Sequence, residues 1–157
     1  MNNNRAQQRD RHFLIAVDGS EGSKRAVVYV ADMLGGLPGF AVTLLSVVPE
    51  PDEDFFDSED AQIAWLKEQM ADANRRLNTF RQVLVQAGFP EEKVRTRACV
   101  GGEHSFAEAI LETKCELSCC TIVVGRQHKS RTEEFLLGST STRLIRGAKG
   151  CAVWVVE

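Results

Sequence analysis

Val123-Val124-Gly125-Arg126-Gln127-His128-Lys129-Ser130 is an apolar strand that runs into a glycine and then into a basic, hydroxyl-bearing loop. Nine residues separate His128 from Gly138-Ser139-Thr140-Ser141, where a second glycine opens a helix with a run of hydroxyl residues. Strand, glycine loop and helix start, in that order, make an anion site. Main-chain N–H groups at a helix start point outward, and the helix dipole adds about half a positive charge there. Lys129 and Arg131 add full charges. A phosphate is the ligand this chemistry suits, so the chain reads as a nucleotide binder or the descendant of one. Alone, a loop of glycine, basic and hydroxyl residues also reads as a solvated turn. The second glycine, placed before the hydroxyl-rich helix start, is what favours the anion site.

Upstream, His12-Phe13-Leu14-Ile15-Ala16-Val17 is a short run with both faces apolar, ending at Asp18-Gly19, and it predicts a buried strand. Ser20 suits the N-cap of the next helix, and Glu21 suits its first turn. Ala26, Val27, Val30, Ala31 and Leu34 make one face of that helix, and Gly35-Gly36 stops it. Phe40 to Val48 is a second strand. Pro49 to Asp60 is acidic and irregular, with Phe55 and Phe56, and reads as a mobile surface loop. Leu66, Met70, Ala73, Leu77, Phe80, Leu84 and Ala87 then repeat at spacings of four and three, a heptad-like seam on a long helix ended by Gly88. Such a seam fits a coiled coil or, more commonly, a helix packed on a sheet.

Val94 to Val100 alternates in part, with Arg95 and Arg97 opposite Val94, Thr96, Ala98 and Val100, as on an edge strand with one wet face. Ser105-Phe106-Ala107-Glu108 is a capping box, with Phe106, Ala109 and Ile110 expected to face inward. Cys120 to Val124 is a fourth strand. A short helix from about Ser139 to Arg146 and a last strand, Cys151 to Val156, complete the chain.

Strands that alternate with helices predict an α/β fold: an open parallel sheet with helices on both faces, joined by right-handed crossovers. At 157 residues the chain is one domain, 12–157, after a disordered polar tail, 1–11. The net charge of -3 argues against sequence-independent nucleic-acid binding. The absence of a long apolar run and of a signal sequence predicts a cytoplasmic protein without a membrane partner. The cysteines, Cys99, Cys115, Cys119, Cys120 and Cys151, are odd in number and lack zinc-type spacing. They read as reduced, small buried hydrophobes, with a redox or metal role the alternative.

Ligands of open α/β sheets bind beyond the carboxyl ends of the strands, where the connections reverse. With the first strand central, three loops meet there: Asp18 after the first strand, Val47 and Val48 at the end of the second, and Gly125 to Ser130 after the fourth. Asp18 suits an adenine or ribose, or simply a helix cap. Val47 suits packing on a base. Gly125 permits close approach of phosphates. Ser139, Thr140 and Ser141 bring hydroxyls and N–H groups.

Ala16-Val17-Asp18-Gly19-Ser20, together with the glycine loop and Gly138-Ser139 before the final helix, resembles the universal stress protein family over residues 12–156. The resemblance implies an adenine nucleotide α-hydrolase-like fold: a five-stranded parallel sheet in the order 3-2-1-4-5. The family's nucleotide-binding members carry Gly-x2-Gly-x9-Gly-Ser/Thr, which here reads Gly125, His128, Gly138, Ser139 with the spacing kept. By resemblance the ATP contacts fall on Ala16, Asp18, Val47, Val124, Gly125, His128, Lys129, Ser130, Gly138, Ser139, Thr140 and Ser141. The departure is His128 in place of the second glycine. Its imidazole either crowds the phosphates or donates a hydrogen bond to them, more strongly when protonated.

The resemblance also implies a homodimer through the last strand, Val153 to Val156, with Trp154 either on that interface or in the core. The expected function is a dimeric stress-response protein that binds ATP, with magnesium or manganese as an accompanying ion, and acts through partner interactions. The alternative is a dimeric interaction module of the same family without a nucleotide. No general base is evident near a γ-phosphate, so the expected role is binding, with slow hydrolysis at most. An adenylyl-transferring or pyrophosphate-releasing enzyme of a related fold needs catalytic residues that the motifs do not supply.

Overall fold

The structure, a computed structural model, describes residues 10–101, 106–126 and 140–157. The elements run β1 (Arg11–Ala16), α1 (Glu21–Leu34), β2 (Phe40–Pro49), α2 (Glu59–Gln86), β3 (Val94–Gly101), α3 (Phe106–Glu116), β4 (Thr121–Gly125), α4 (Thr140–Gly147) and β5 (Ala152–Val156). The strands form one parallel sheet in the order β3-β2-β1-β4-β5. This is the α/β architecture and strand order expected from the sequence.

Each face of the sheet is covered. On one side Phe13 and Ile15 of β1, Val17 just beyond its end, and Val42 and Leu44 of β2 pack against Ala26, Val27, Val30 and Leu34 of α1 and Leu77 and Leu84 of α2. On the other side Leu14, Leu45, Ile122 and Val124 pack against Ala107 and Ile110 of α3 and Leu144 of α4. Successive strand residues point to opposite faces, so a central strand such as β1 must be apolar throughout to serve both layers.

α1 begins where its cap chemistry dictates: the Ser20 side chain accepts from the Ser23 N–H at 3.2 Å. The five apolar positions read as its inner face are all buried, together with Gly22 and Ser23 of its first turn. α2 has 28 residues, a length of about 42 Å, whereas six-residue β1 spans about 20 Å. The long helix therefore outruns the sheet. Its heptad-like seam lies against the sheet through its second part, where Ala73, Leu77 and Leu84 are buried and Phe80 packs beside them.

Several expectations are corrected by the packing. β1 begins at Arg11, inside the segment read as tail, because the Arg11 N–H donates to Gly39 O at 2.8 Å; residues 1–9 lie outside the described residues. The acidic connection after β2 is not irregular throughout. It holds a 3-10 turn at Glu53–Phe55, and Phe56 packs on Trp65 of α2 with ring centroids 5.7 Å apart. Phe106 is 48% exposed, and Ala107, Ile110 and Thr113 carry the inner face of α3 instead. Val100 on edge strand β3 is also exposed, and Cys99 packs toward the α3 and α4 layer.

The cysteines are all free, but only Cys119 is buried; Cys99 and Cys151 are half-buried, and Cys115 and Cys120 are exposed. Cys119 and Cys120 differ in burial, but both precede β4, which begins at Thr121, so strand alternation is not the cause. β5, the other edge, leaves Val155 exposed and Val153, Trp154 and Val156 half-buried. Trp154 packs edge-on to Phe13 in the core at 5.1 Å and to Tyr29 of α1 at 6.1 Å. Among the described residues, no helix is long and apolar enough to cross a membrane.

Candidate nucleotide site

The carboxyl ends of β1, β2 and β4 meet as the topology requires. Ala16 and Val124 are register partners across β1 and β4. Val47 lies two residues beyond Leu45, the β2 partner of Ala16. Ala16, Val47 and Val124 all belong to the apolar layer that α3 and α4 cover. They form one apolar surface on that side of the sheet's carboxyl edge, of the kind that accepts a flat base.

The turn after β1 is closed by its own side chains. The Ser20 N–H donates to Asp18 Oδ1 at 2.8 Å, and the Ser23 hydroxyl donates to the same oxygen at 2.8 Å. The Asp18 N–H in turn donates to Ser23 Oγ at 2.8 Å. Asp18 therefore does the work of a helix-start aspartate, holding the β1–α1 turn to the first turn of α1. Ser23, a buried hydroxyl, is a residue the motif reading did not find. Its position three residues after the N-cap is the signal that points to it.

Gly125 ends β4, and its role is more demanding than room for a ligand. A Cβ on Gly125 would lie 2.0 Å from Gly22 O and 2.8 Å from Ser23 N, and a Cβ on Gly22 would lie 2.8 Å from Arg126 O. The first turn of α1 thus rests directly on the end of β4, backbone on backbone. This contact brings the amino end of α1 to the start of the glycine loop. The Arg76 guanidinium of α2 lies over the β1–α1 turn, 3.6 Å from where a Cβ on Gly19 would be. Arg126, next in the chain, donates its N–H to Val156 O at 2.7 Å, fastening the loop's first residue to β5.

Thr140 and Ser141 stand in the first turn of α4. Leu144, fully buried in the layer that also holds Ala16 and Val124, anchors that helix. Seven of the expected site residues, Ala16, Asp18, Val47, Val124, Gly125, Thr140 and Ser141, are thereby assigned to the carboxyl side of the sheet or to α4. The other five, His128, Lys129, Ser130, Gly138 and Ser139, lie outside the described residues.

Of the remaining titratable groups, His12 lies at the other end of β1. Its Nε2 is 2.7 Å from Thr43 Oγ1, and burial foremost, with Arg95 assisting, holds its pKa below the usual histidine value. Among the described residues, no three His, Cys, Asp or Glu side chains gather to hold a metal ion.

The comparison with known proteins now bears on this geometry. Residues 11–157 match the sequence pattern of the universal stress protein family. The chain belongs to that family. No protein of curated function matches it. Hypothetical protein MJ0577 is similar in fold, with a TM-score of 0.75 and 24% identity over 93% of this chain and 94% of the other. A universal stress protein in complex with cAMP has a TM-score of 0.65 and 20% identity, covering 95% of this chain and 98% of its own. The universal stress protein of Archaeoglobus fulgidus in complex with dAMP has a TM-score of 0.59 and 19% identity, covering 92% and 96%. Some relatives therefore bind adenine nucleotides. At these identities the likeness to this universal stress protein is one of fold.

Proposed function

We propose that this universal stress protein binds an adenine nucleotide, with ATP the favoured ligand, beyond the carboxyl ends of β1, β2 and β4, and that it acts in the cytoplasm as a homodimer in a stress response. The observation that carries the reading is the contact of Gly22 with Gly125, which sets the amino end of α1 against the end of β4. Helix amino ends and glycine-lined backbone are the usual surroundings of phosphate groups. The relatives bound to cAMP and dAMP support the same ligand class.

In this reading Ala16, Val47 and Val124 take the base and Asp18 the ribose or adenine. Gly125, His128, Lys129, Ser130, Gly138, Ser139, Thr140 and Ser141 surround the phosphates, and a bound magnesium or manganese ion would rest on phosphate oxygens. Val153 to Val156 on edge strand β5 pair with a second copy, which removes an apolar strand edge from water. A groove of about 440 Å³, lined by Tyr29, Trp154, Val155, Val156 and Glu157, lies beside that edge, where a second copy would seat.

The test is calorimetric titration of the purified chain with ATP and AMP from about pH 5 to about pH 8, with mass spectrometry for co-purified nucleotide. Binding is the expected result. No binding at any pH overturns the reading and leaves the second one, a dimeric interaction module without a nucleotide. The feature that favours that second reading is His128 in the place of the motif's second glycine. His128→Gly then creates binding if the imidazole alone blocks the site.

A further inference from the structure

At the opposite end of the sheet from the candidate site, the amino ends of β4 and β5 bring thiols together. Cys120 immediately precedes β4, and Cys151 immediately precedes β5. Thr121 and Ala152, the residues that follow them, are register partners. The Ala152 N–H donates to Cys120 O at 2.9 Å, so the hydrogen-bonded ladder reaches back to the cysteine pair. Neighbouring strands lie about 4.8 Å apart, inside the Cα separation of about 4.4–6.8 Å that a disulfide spans. Cys120 is exposed and Cys151 half-buried, so an oxidant in solution reaches the first, and the second lies beside it.

We propose that Cys120 and Cys151 form a peroxide-reactive dithiol pair that closes into an intramolecular disulfide, joining β4 to β5 at their amino ends. The oxidant is hydrogen peroxide. The Cys120 thiolate attacks one peroxide oxygen, the O–O bond breaks, and the departing hydroxide takes up a proton to leave as water. This leaves a sulfenic acid on Cys120. The Cys151 sulfur, giving up its proton, attacks the Cys120 sulfur. The S–O bond breaks, the S–S bond forms, and the hydroxide released takes that proton to become a second water. Two thiols and one peroxide give one disulfide and two waters.

The surroundings separate this pair from the other cysteines. Cys119 is buried, and burial foremost pushes its thiol pKa up to about 11, with Cys120 and Cys151 adding to the rise and Lys114 opposing it. A thiol held protonated in the core neither attacks peroxide nor resolves a sulfenic acid at neutral pH. Cys119 and Cys151 pack in the same apolar layer, and Cys120 follows Cys119 in the chain. Lys114 Nζ donates to Lys149 O at 2.7 Å, which places a positive charge at the entry to β5, two residues before Cys151. Between the two cysteines in sequence lie Gly125, Thr140 and Ser141, so the disulfide would close a loop around the segment that carries the candidate phosphate contacts.

The test uses the whole chain at neutral pH with a molar excess of hydrogen peroxide, followed by alkylation, tryptic digestion without reduction and mass spectrometry. Trypsin releases 115–126 and 150–157. The expected product is a monomeric chain in which these two peptides are joined, with fragmentation placing the bond at Cys120 and Cys151. Cys119→Ser keeps the link and Cys120→Ser loses it. Cys151→Ser leaves a sulfenic acid on Cys120 that dimedone traps, which gives a second route should one variant fail to fold. No joined peptide, a bond through Cys115 or Cys119, or a link found only between two chains overturns the proposal. None of these readouts depends on nucleotide binding.

Discussion

Gly22 and Gly125 touch backbone to backbone: a methyl group on Gly125 would lie 2.0 Å from Gly22 O. The contact joins α1, the helix that follows β1, to the end of β4, its neighbour in the sheet. Because it is made by main-chain atoms, no rotamer change relieves an added side chain. Gly125→Ala is expected to lower stability by about 2–3 kcal/mol or more, in the range of overpacked cores. Gly22→Ala, with 2.8 Å to Arg126 O, is expected to cost less. Urea denaturation of both variants checks this, and a Gly125→Ala protein as stable as the parent would show that α1 can slide away without penalty.

The Ser23 hydroxyl accepts from the Asp18 N–H and donates to Asp18 Oδ1, both at 2.8 Å. Ser23→Ala removes the acceptor of the Asp18 N–H and one of the donors to Asp18 Oδ1, which keeps the Ser20 N–H. Lost hydrogen bonds to partly buried groups cost about 1–3 kcal/mol. The variant is expected to lose stability in that range in thermal or urea melts. It is also expected to bind nucleotide more weakly if Asp18 faces the ligand. A change below about 0.5 kcal/mol would mean that water replaces the hydroxyl.

Legibility of the sequence divides along the same line, between local and tertiary causes. The strands and α1 were readable because their signals are local: Ser20 at the cap, and apolar residues at helical spacing from Ala26 to Leu34. The phase of α3 was not. Phe106 is the larger apolar residue, but Ala107 is the one that packs inward, in phase with buried Ile110 and Thr113. Gly125 is legible as a special position, but its contact with Gly22 is not, because Gly22 lies far from it in sequence and nothing local reveals that contact. Ser23 is different: its partner Asp18 is five residues away, and its place three residues after the cap is a local signal that the motif reading passes over.

His12 gives a pH dependence of stability. Burial holds its pKa below the usual 6.5, so the folded chain favours neutral imidazole and the unfolded chain takes up the proton first. The contribution is present in full above about pH 6.5 and is lost as pH falls through and below that value. Stability measured by urea midpoint is expected to decline from neutral to mildly acidic pH, with a smaller decline in His12→Gln. Equal slopes for the two proteins would assign the decline to other groups.

Thiol reactivity separates the cysteines by burial. Cys115 and Cys120 are exposed and are expected to react first with a disulfide reagent at about pH 8, near the ordinary thiol pKa. Cys119, with its thiol pushed up to about 11, is expected to react only as fast as the fold opens. The sign of the linkage also follows: the fold favours the protonated thiol, so this contribution is complete at neutral pH and falls away between the unfolded value of about 9 and about 11. Fast labelling of Cys119 in the native chain would show that the α3–β4 corner opens locally.

Edge strand β5 supplies the last test, which concerns assembly. Val155 is 40% exposed, and Val153, Trp154 and Val156 are half-buried on a strand with no neighbour beyond it among the described residues. Pairing with a second copy, as proposed, would satisfy the open hydrogen-bonding groups of that edge and cover these side chains. Val155→Lys places a charge on that edge, the means by which natural sheets prevent edge-to-edge association. Sedimentation analysis is expected to show a dimer for the parent chain and a monomer, or a dimer weakened at least about tenfold, a change of about 1.4 kcal/mol, for the variant. Since Trp154 stacks edge-on against Phe13 and Tyr29, its fluorescence should shift on dilution of the parent and stay constant in the variant. A parent chain that sediments as a monomer at all concentrations, or a Val155→Lys chain that stays fully dimeric, would move the interface away from β5.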